Sequence, residues 1–452
     1  MARVLKFRKH TTDTTILTAP YDLVSVGIEA CKEEGTVVDV IEMLLTGTNA
    51  QIISGGVALD TFDRDAQDWF DDNLLQDMIW IYLQADGESN KRALVKAVTV
   101  KHSADNIFPS LLGREGIRIQ VAVEHYAWES DTFDNVSGNN VSAWGGVVDI
   151  SAGIDGTLRG RPHKVSVIGE SGGGGSITKF WLGLRRKYDT ITGFNPVIEL
   201  EKGTVGTDAA IASESGASPS GSSSNNKVRV TFSTASLAKR LSISIVQAFP
   251  TGYGAYIGEY SMLLRCKVSA GSTIGIQART GLKGASVFAP NEEVYDITNT
   301  GWFLRPVGYF VVPPTGFRAD QRDLSYFAVQ NASIELWSEV ITPNGGTDWI
   351  DLDAILLMPA RHLVYVSGGA IQYTATADNV KLFTFADGIQ KGESYVSGAP
   401  DAGIEARFNN WKFPHNPGVM VFAGQRASSH VLTDRVTVEY LYYPRWKTFR
   451  GS

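Results

Sequence analysis

Between Asn226 and Ala360 apolar and polar residues alternate with the period of half-buried strands. In Tyr260–Val268, residues Tyr260, Met262, Leu264, Cys266 and Val268 share one face and Ser261, Arg265 and Lys267 the other, with Leu263 the exception. A turn is predicted at Ser269–Ser272, where Gly271 can take the positive φ that such turns use, and Thr273–Ala278 is expected to return as the hairpin partner. Further strands are predicted at Trp302–Val312, closed by Pro313 and Pro314, at Ala332–Val340, and at Trp349–Met358, closed by Pro359. The breakers between them are Asn- and Gly-rich, the punctuation of an antiparallel sandwich rather than of alternating strands and helices.

The rest of the chain reads the same way with one exception. Leu59, Phe62, Ala66, Trp69 and Phe70 recur at helical spacing while Asp60, Asp63, Asp65 and Asp68 fall outside that stripe, which predicts a helix over Leu59–Asn73. Thr36–Leu45 fits a short helix or a strand, and its β-branched density favours the strand. Strands are predicted at Met78–Gln84, Arg92–His102 and Gly116–Trp128, the last turning Ile117, Ile119, Val121 and Val123 inward. The polar stretch Glu129–Asn140 is expected to be a domain boundary. Lys164–Gly169 and Ile177–Arg186 read as a strand pair joined by the glycine-rich Glu170–Ser176; that loop lacks the Gly-Lys-Ser/Thr ending and the following helix of a phosphate loop. Lys202–Asn226, rich in Ser, Gly and Ala, is expected to be a flexible segment. Strands resume at His362–Val366, Ala370–Ala375, Lys381–Phe385, Gly403–Phe408, Gly418–Gly424 and Arg435–Tyr443. The expected fold class is all-β, mainly antiparallel sandwiches, with one helix in the N-terminal domain. The expected domains are 1–130, a sandwich of 131–195 plus 361–452, and an inserted jelly roll at 196–360.

Composition narrows the function. A length of 452 residues predicts about three domains, and 43% hydrophobic with 20% charged residues is globular. A net charge of −7 argues against a nucleic-acid partner, which needs clustered Lys and Arg. Cys31 and Cys266 are far apart, and Cys266 on an apolar strand face reads as a buried thiol. No apolar run approaches a signal peptide or a membrane span, so the expectations are synthesis in a cytoplasm and no membrane insertion.

Three pieces of the central sandwich carry a resemblance: Gly258–Arg265 as an early strand, Thr300-Gly-Trp302 opening a middle strand, and Asp351-Leu-Asp353-Ala-Ile-Leu-Leu357 as an Asp-bearing last strand. They resemble the carbohydrate-binding-module type of jelly roll. The β-rich start with one helix, Arg92–Val100 and Ile117–Glu124 leading to Tyr126-Ala-Trp128, looks like the distal tail protein of long-tailed bacteriophages, the ring component joining tail tube to baseplate. The resemblance implies a virion protein that assembles as a ring of its own copies with other tail proteins and displays the jelly roll toward host-surface glycan.

The candidate chemistry is sparse. The seven histidines, His10, His102, His125, His163, His362, His415 and His430, show no metal-binding spacing, the Gly-x-Ser-x-Gly match at Gly169–Gly173 is not followed by the helical pattern that a nucleophile elbow needs, and no carboxylate pair can be named for a glycosidase. The chain is therefore expected to be no enzyme. The jelly-roll resemblance implies a structural calcium on an early acidic residue and a last-strand aspartate, here Glu201, with Glu199 near it, and Asp353; solvated edge carboxylates are the competing reading. Tyr256, Trp302, Trp337 and Trp349, with Tyr253, include rings able to stack on a sugar, against ordinary core or interface packing. The readings to be separated are a tail structural protein, a stand-alone glycan-binding protein, and a glycosidase with an accessory module. Because a flexible segment and Pro359 flank it, the jelly roll is expected to be dispensable for assembly, which is assigned to the N-terminal unit.

Overall fold

The computed structural model describes residues 4–9, 15–31, 36–46, 59–83, 91–101, 116–124, 128–150, 161–170, 176–186, 194–214, 226–250, 256–282, 289–290, 293–312, 332–372, 378–384, 390–401, 404–409 and 417–446. The fold is all-β with antiparallel pairing, and among the described residues a single long helix, Leu59–Gln76, lies in the N-terminal region. No helix among the described residues is long and apolar enough to cross a membrane. The chain divides into two compact units: Met1–Asp134 with Ile154–His163 and Leu441–Ser452, and Asn135–Gly153 with Lys164–Tyr440.

In the first unit the strand ladder closes on itself. Val4–Lys9 pairs with Thr15–Cys31 and with Ile79–Leu83, Thr15–Cys31 with Thr36–Thr46, Thr36–Thr46 with Gly116–Glu124, and Lys91–Lys101 with both Gly116–Glu124 and Ile79–Leu83. The ambiguous Thr36–Leu45 segment is thus a strand, as its β-branched residues favour. Ile119, Val121 and Val123 alternate inward and join Leu5, Phe7, Ile41 and Ile81 in the core. The helix covers this core with Ala66 and Phe70, whose ring meets Phe7 edge-on at 5.2 Å. Gln67 fixes it by donating to the Val98 carbonyl and accepting from the Val100 N–H. The polar stretch Glu129–Asn140, expected as a domain boundary, contains the division between the two units at Asp134, and it overlaps two strands, Trp128–Ser130 and Asp134–Ser142.

The second unit holds two sandwiches. One has a six-stranded sheet, in the order Ala399–Asp401, Gln390–Val396, Asn379–Thr384, Arg161–Gly169, Arg435–Tyr443, Asp134–Ser142. Its partner has five strands: Glu405–Asn409, Leu363–Gln372, Ser176–Arg186, Pro417–Gln425, Gly146–Asp149. Strands from before Asn195 therefore sit between strands from after Pro359 in both sheets. The expected pairing of Lys164–Gly169 with Ile177–Arg186 does not occur, because the two strands lie in different sheets. Residues 171–175 between them, with the glycine run 172–175, lie outside the described residues.

Residues 197–359 make the jelly roll. Its first sheet runs Ala209–Ser213, Asn226–Thr231, Trp349–Pro359, Gly258–Val268, Phe303–Val312, with Val197–Glu199 also on Trp349–Pro359. Its second sheet runs Thr204–Val205, Ala238–Ser244, Ala332–Thr342, Thr273–Leu282, Ala289–Pro290, with Tyr295–Ile297 also on Thr273–Leu282. Two expectations are corrected here. Gly258–Val268 and Thr273–Leu282 are not a hairpin: the turn, with Gly271 at φ +82°, is an arch that carries the chain from one sheet to the other. Asp348 holds that arch by accepting from Ser272 Oγ at 2.5 Å. Nor is Lys202–Asn226 wholly irregular, since two of its segments are strands, while 215–225 lies outside the described residues. They are pinned by the fully buried Arg240, whose guanidinium donates to Asp208 at 2.9 Å and to the Thr207 carbonyl.

Candidate functional site

The two outer faces of the jelly roll are used differently. The first sheet turns its outer face to the other sandwich. Leu263 and Arg265, placed by alternation on the polar side of their strand, are both buried there, and Trp144, Trp181, Val419, Val421 and Ala423 join the jelly-roll residues in one continuous core. The Gly258–Val268 strand is thus covered on both faces over most of its length rather than half-buried.

Arg265 pairs two of the polar groups caught in that junction. Asp353, fully buried, accepts from Arg265 Nη1, and Arg265 Nε donates to His430 Nδ1 at 3.1 Å. His430 lies against Trp144, with ring centroids 5.1 Å apart, and its Nε2 is 3.4 Å from the Ala143 carbonyl. Burial, with Arg265 beside it, pushes His430 down to about 3, so the imidazole is neutral. Burial also pushes the Asp353 carboxyl up to about 7; Arg265 opposes that rise, and the Glu201 and Glu199 charges add to it.

The expected calcium ligands therefore do sit near enough to feel each other, as neighbours of one strand pair. Arg265, however, is the cation at Asp353, and Glu199 is paired with Lys202 at 2.8 Å. Among the described residues no group of three or more His, Cys, Asp or Glu side chains is placed to hold a metal ion. Calcium takes six to eight oxygen ligands, more than the Glu201 and Asp353 carboxylates supply by themselves, although Asp353 Oδ1 is buried with no hydrogen-bond partner among the described residues. Sequence reasoning missed Arg265 as the partner because the bond depends on which strands become neighbours.

The second sheet presents its outer face to solvent, with Trp337 at the centre. Lys239 and Gln277 stand opposite Trp337 on the flanking strands, and Ser242 and Arg279 stand opposite Glu335. Ile274, Ile276 and Ala278 point into the core, so alternation turns Gly275, Gln277 and Arg279 outward. The Trp337 Nε1–H donates to Glu335 at 3.0 Å, Lys239 reaches the same carboxylate at 3.2 Å, and Arg279 Nε donates to Gln277 Oε1 at 2.9 Å. The Arg279 guanidinium lies 3.8 Å from the centre of the Trp337 ring. A half-buried indole is thus fixed among planar donors and acceptors, the set that recognises a ring with an apolar face and hydroxyls at its rim. A ligand stacking on the covered side of the indole has to displace Arg279.

The other sequence-predicted rings differ from Trp337. Tyr256 is only 2% exposed, stacked 3.8 Å from Phe249, with its hydroxyl bonded to the Asn195 backbone, so it is a core residue and not a platform. Trp302 lies under Arg265 and Lys267, and Trp349 under Arg229, at the rim of the first sheet's outer face. Elsewhere in this unit a cleft of about 380 Å³ opens beside the exposed Tyr309 and Val311, with Glu259 and Arg361 at its walls.

No family model and no curated protein matches the chain. Among solved structures, the xylan-binding domain CBM22-1 of Paenibacillus barcinonensis Xyn10C aligns over 36% of this chain and 94% of its own, at 12% identity and a TM-score of 0.22. A chain of the phage P2 baseplate in its activated conformation with Ca aligns over 98% of both chains, at 9% identity and a TM-score of 0.25. A chain of T=1 particles derived from infectious bursal virus covers 69% of this chain and 76% of its own, at 10% identity and 0.18. Likeness at this level does not identify a function.

Proposed function

We propose that this chain is a non-enzymatic structural component of a phage tail or baseplate, and that its jelly roll binds a glycan on the face centred on Trp337. In this reading the protein is made in the host cytoplasm and ends in the virion. The N-terminal unit makes the contacts to further copies in a ring and to other tail proteins. The observation that carries the glycan reading is the contrast between the jelly roll's two sheets. One outer face is buried against the neighbouring sandwich, while the other holds a half-buried indole with Arg279, Gln277 and Lys239 at the surface and the buried Glu335 carboxylate beside it. Against catalysis, the described cleft beside Tyr309 has a single acidic residue in its lining, Glu259, where glycoside hydrolysis uses two carboxyl groups.

A glycan array probed with the purified protein tests the reading. Trp337→Ala is expected to weaken binding at least about tenfold, or about 1.4 kcal/mol, with the thermal unfolding midpoint little changed. Binding that survives Trp337→Ala moves the site elsewhere. Monomers only, in particle images at high protein concentration, count against the ring, and glycan turnover abolished by a single carboxylate substitution overturns the non-enzymatic assignment.

A further inference from the structure

We infer that Lys227 and Asp351 become joined by an amide bond, formed by the folded protein itself between Lys227 Nζ and the Asp351 side-chain carboxyl carbon. The two residues lie on adjacent antiparallel strands of the jelly roll's first sheet, where Arg229 stands opposite Asp351 and Val228 opposite Leu352. Lys227 and Arg229, two residues apart, both reach the Asp351 carboxylate on one sheet face. Nζ is 2.7 Å from Asp351 Oδ2; the lysine side chain is 4% exposed and the aspartate 0%. The Glu214 carboxylate also contacts Lys227 Nζ and remains partly open to solvent; its other oxygen accepts from Lys267, whose Nζ stands farther from Asp351 Oδ2, at 3.7 Å.

Each group has a place in the condensation. The strand pairing holds amine and carboxyl in contact, which converts a slow bimolecular reaction into an intramolecular one. Burial lowers the Lys227 ammonium below the ordinary lysine range; Asp351 opposes this, and Arg229 and Lys267 add to the lowering. Glu214 is placed to take a proton from the ammonium and return it to the departing oxygen. Arg229 donates from Nε to Oδ1 at 2.7 Å and from Nη2 to Oδ2 at 2.9 Å. Those donors face the oxygens on which negative charge gathers as the carboxyl carbon becomes tetrahedral. The step balances: an N–C bond forms and a C–O bond breaks. Two ammonium protons leave with one carboxylate oxygen as water, the amide nitrogen keeps the third, and nothing is oxidised or reduced. No other covalent tie is described in this sandwich, where Cys266 is a free buried thiol.

Intact-mass measurement of the denatured full chain tests the bond directly. The wild type is expected to be lighter than its sequence by one water molecule, and its digest is expected to contain one branched peptide joining the Lys227 and Asp351 segments. Lys227→Ala and Glu214→Ala are each expected to show the full mass of their sequences. Glu214→Ala leaves both reacting residues in place and removes only a partly exposed side chain. A wild type at full sequence mass, or a missing water that persists in Lys227→Ala, overturns the proposal. A Glu214→Ala protein still one water lighter overturns the role given to Glu214.

Discussion

His430 can be assigned its proton from geometry alone. Arg265 has only donors, so the Nδ1 facing its Nε–H at 3.1 Å must accept, and the hydrogen sits on Nε2, toward the Ala143 carbonyl. A histidine buried neutral lies below its unfolded value in the folded state, so its stabilising contribution is complete above about pH 6.5. It is lost as the pH falls from there toward about 3, because the unfolded chain binds the proton first. Between pH 6.5 and 5 this one group is expected to cost about 1.5 kcal/mol of stability. His430→Asn should flatten that part of the profile relative to wild type in urea unfolding followed across the range. Identical slopes in the two proteins would show that His430 is already protonated or exposed. Cys266 shows the opposite, sequence-legible case: its strand face made it a buried thiol, and burial pushes it up to about 12.

Among the elements, the strands that dock the two sandwiches were placed correctly along the chain but not in space. Gly183, in the Ser176–Arg186 strand, lies so close to the end of Trp349–Pro359 that a Cβ on it would stand 2.8 Å from Pro359 Cδ and 3.0 Å from the Pro359 carbonyl oxygen. The obstruction is backbone, which a side-chain rotation cannot relieve. Gly183→Ala is therefore expected to destabilise the unit by about 1–3 kcal/mol, read as a lower urea midpoint at unchanged slope. A midpoint equal to wild type would mean that the two strands separate freely. The sequence marked Gly183 only as one residue of an apolar strand. The close approach became visible once Pro359 was known to lie over it. The hairpins expected at Ser269–Ser272 and at the glycine run failed for a related reason. Turn residues specify that the chain reverses, and the partner strand is chosen by where each apolar face can be buried.

For the second unit as a whole, the shared core changes what a deletion should do. Flanking composition predicts that removing Val197–Pro359 leaves the rest undisturbed. Yet Trp144, Trp181, Val419, Val421 and Ala423 are covered by the jelly roll, and Leu304 N–H donates to Gln425 Oε1 across the junction at 2.9 Å. The deleted chain is expected to expose those residues, bind a hydrophobic dye and aggregate. A soluble deletion product that unfolds cooperatively, with no dye binding, would show the core to be divisible.

The sequence by itself determined the all-β class, the N-terminal helix and the positions of most strands. All of these follow from periodicities of two and 3.6 residues, which are local properties of the chain. The pairing of Val197–Glu199 with Trp349–Pro359, which sets Glu199 opposite Ala354 and so next to Asp353, came from the fold. Only the tertiary structure decided that Arg265 faces Asp353, that Tyr256 is core, and that one jelly-roll face is covered while the other is open. Those outcomes depend on which surfaces meet. Burying an unpaired charge or leaving an apolar face uncovered costs more than any single local preference supplies, so long-range packing settles what alternation leaves open.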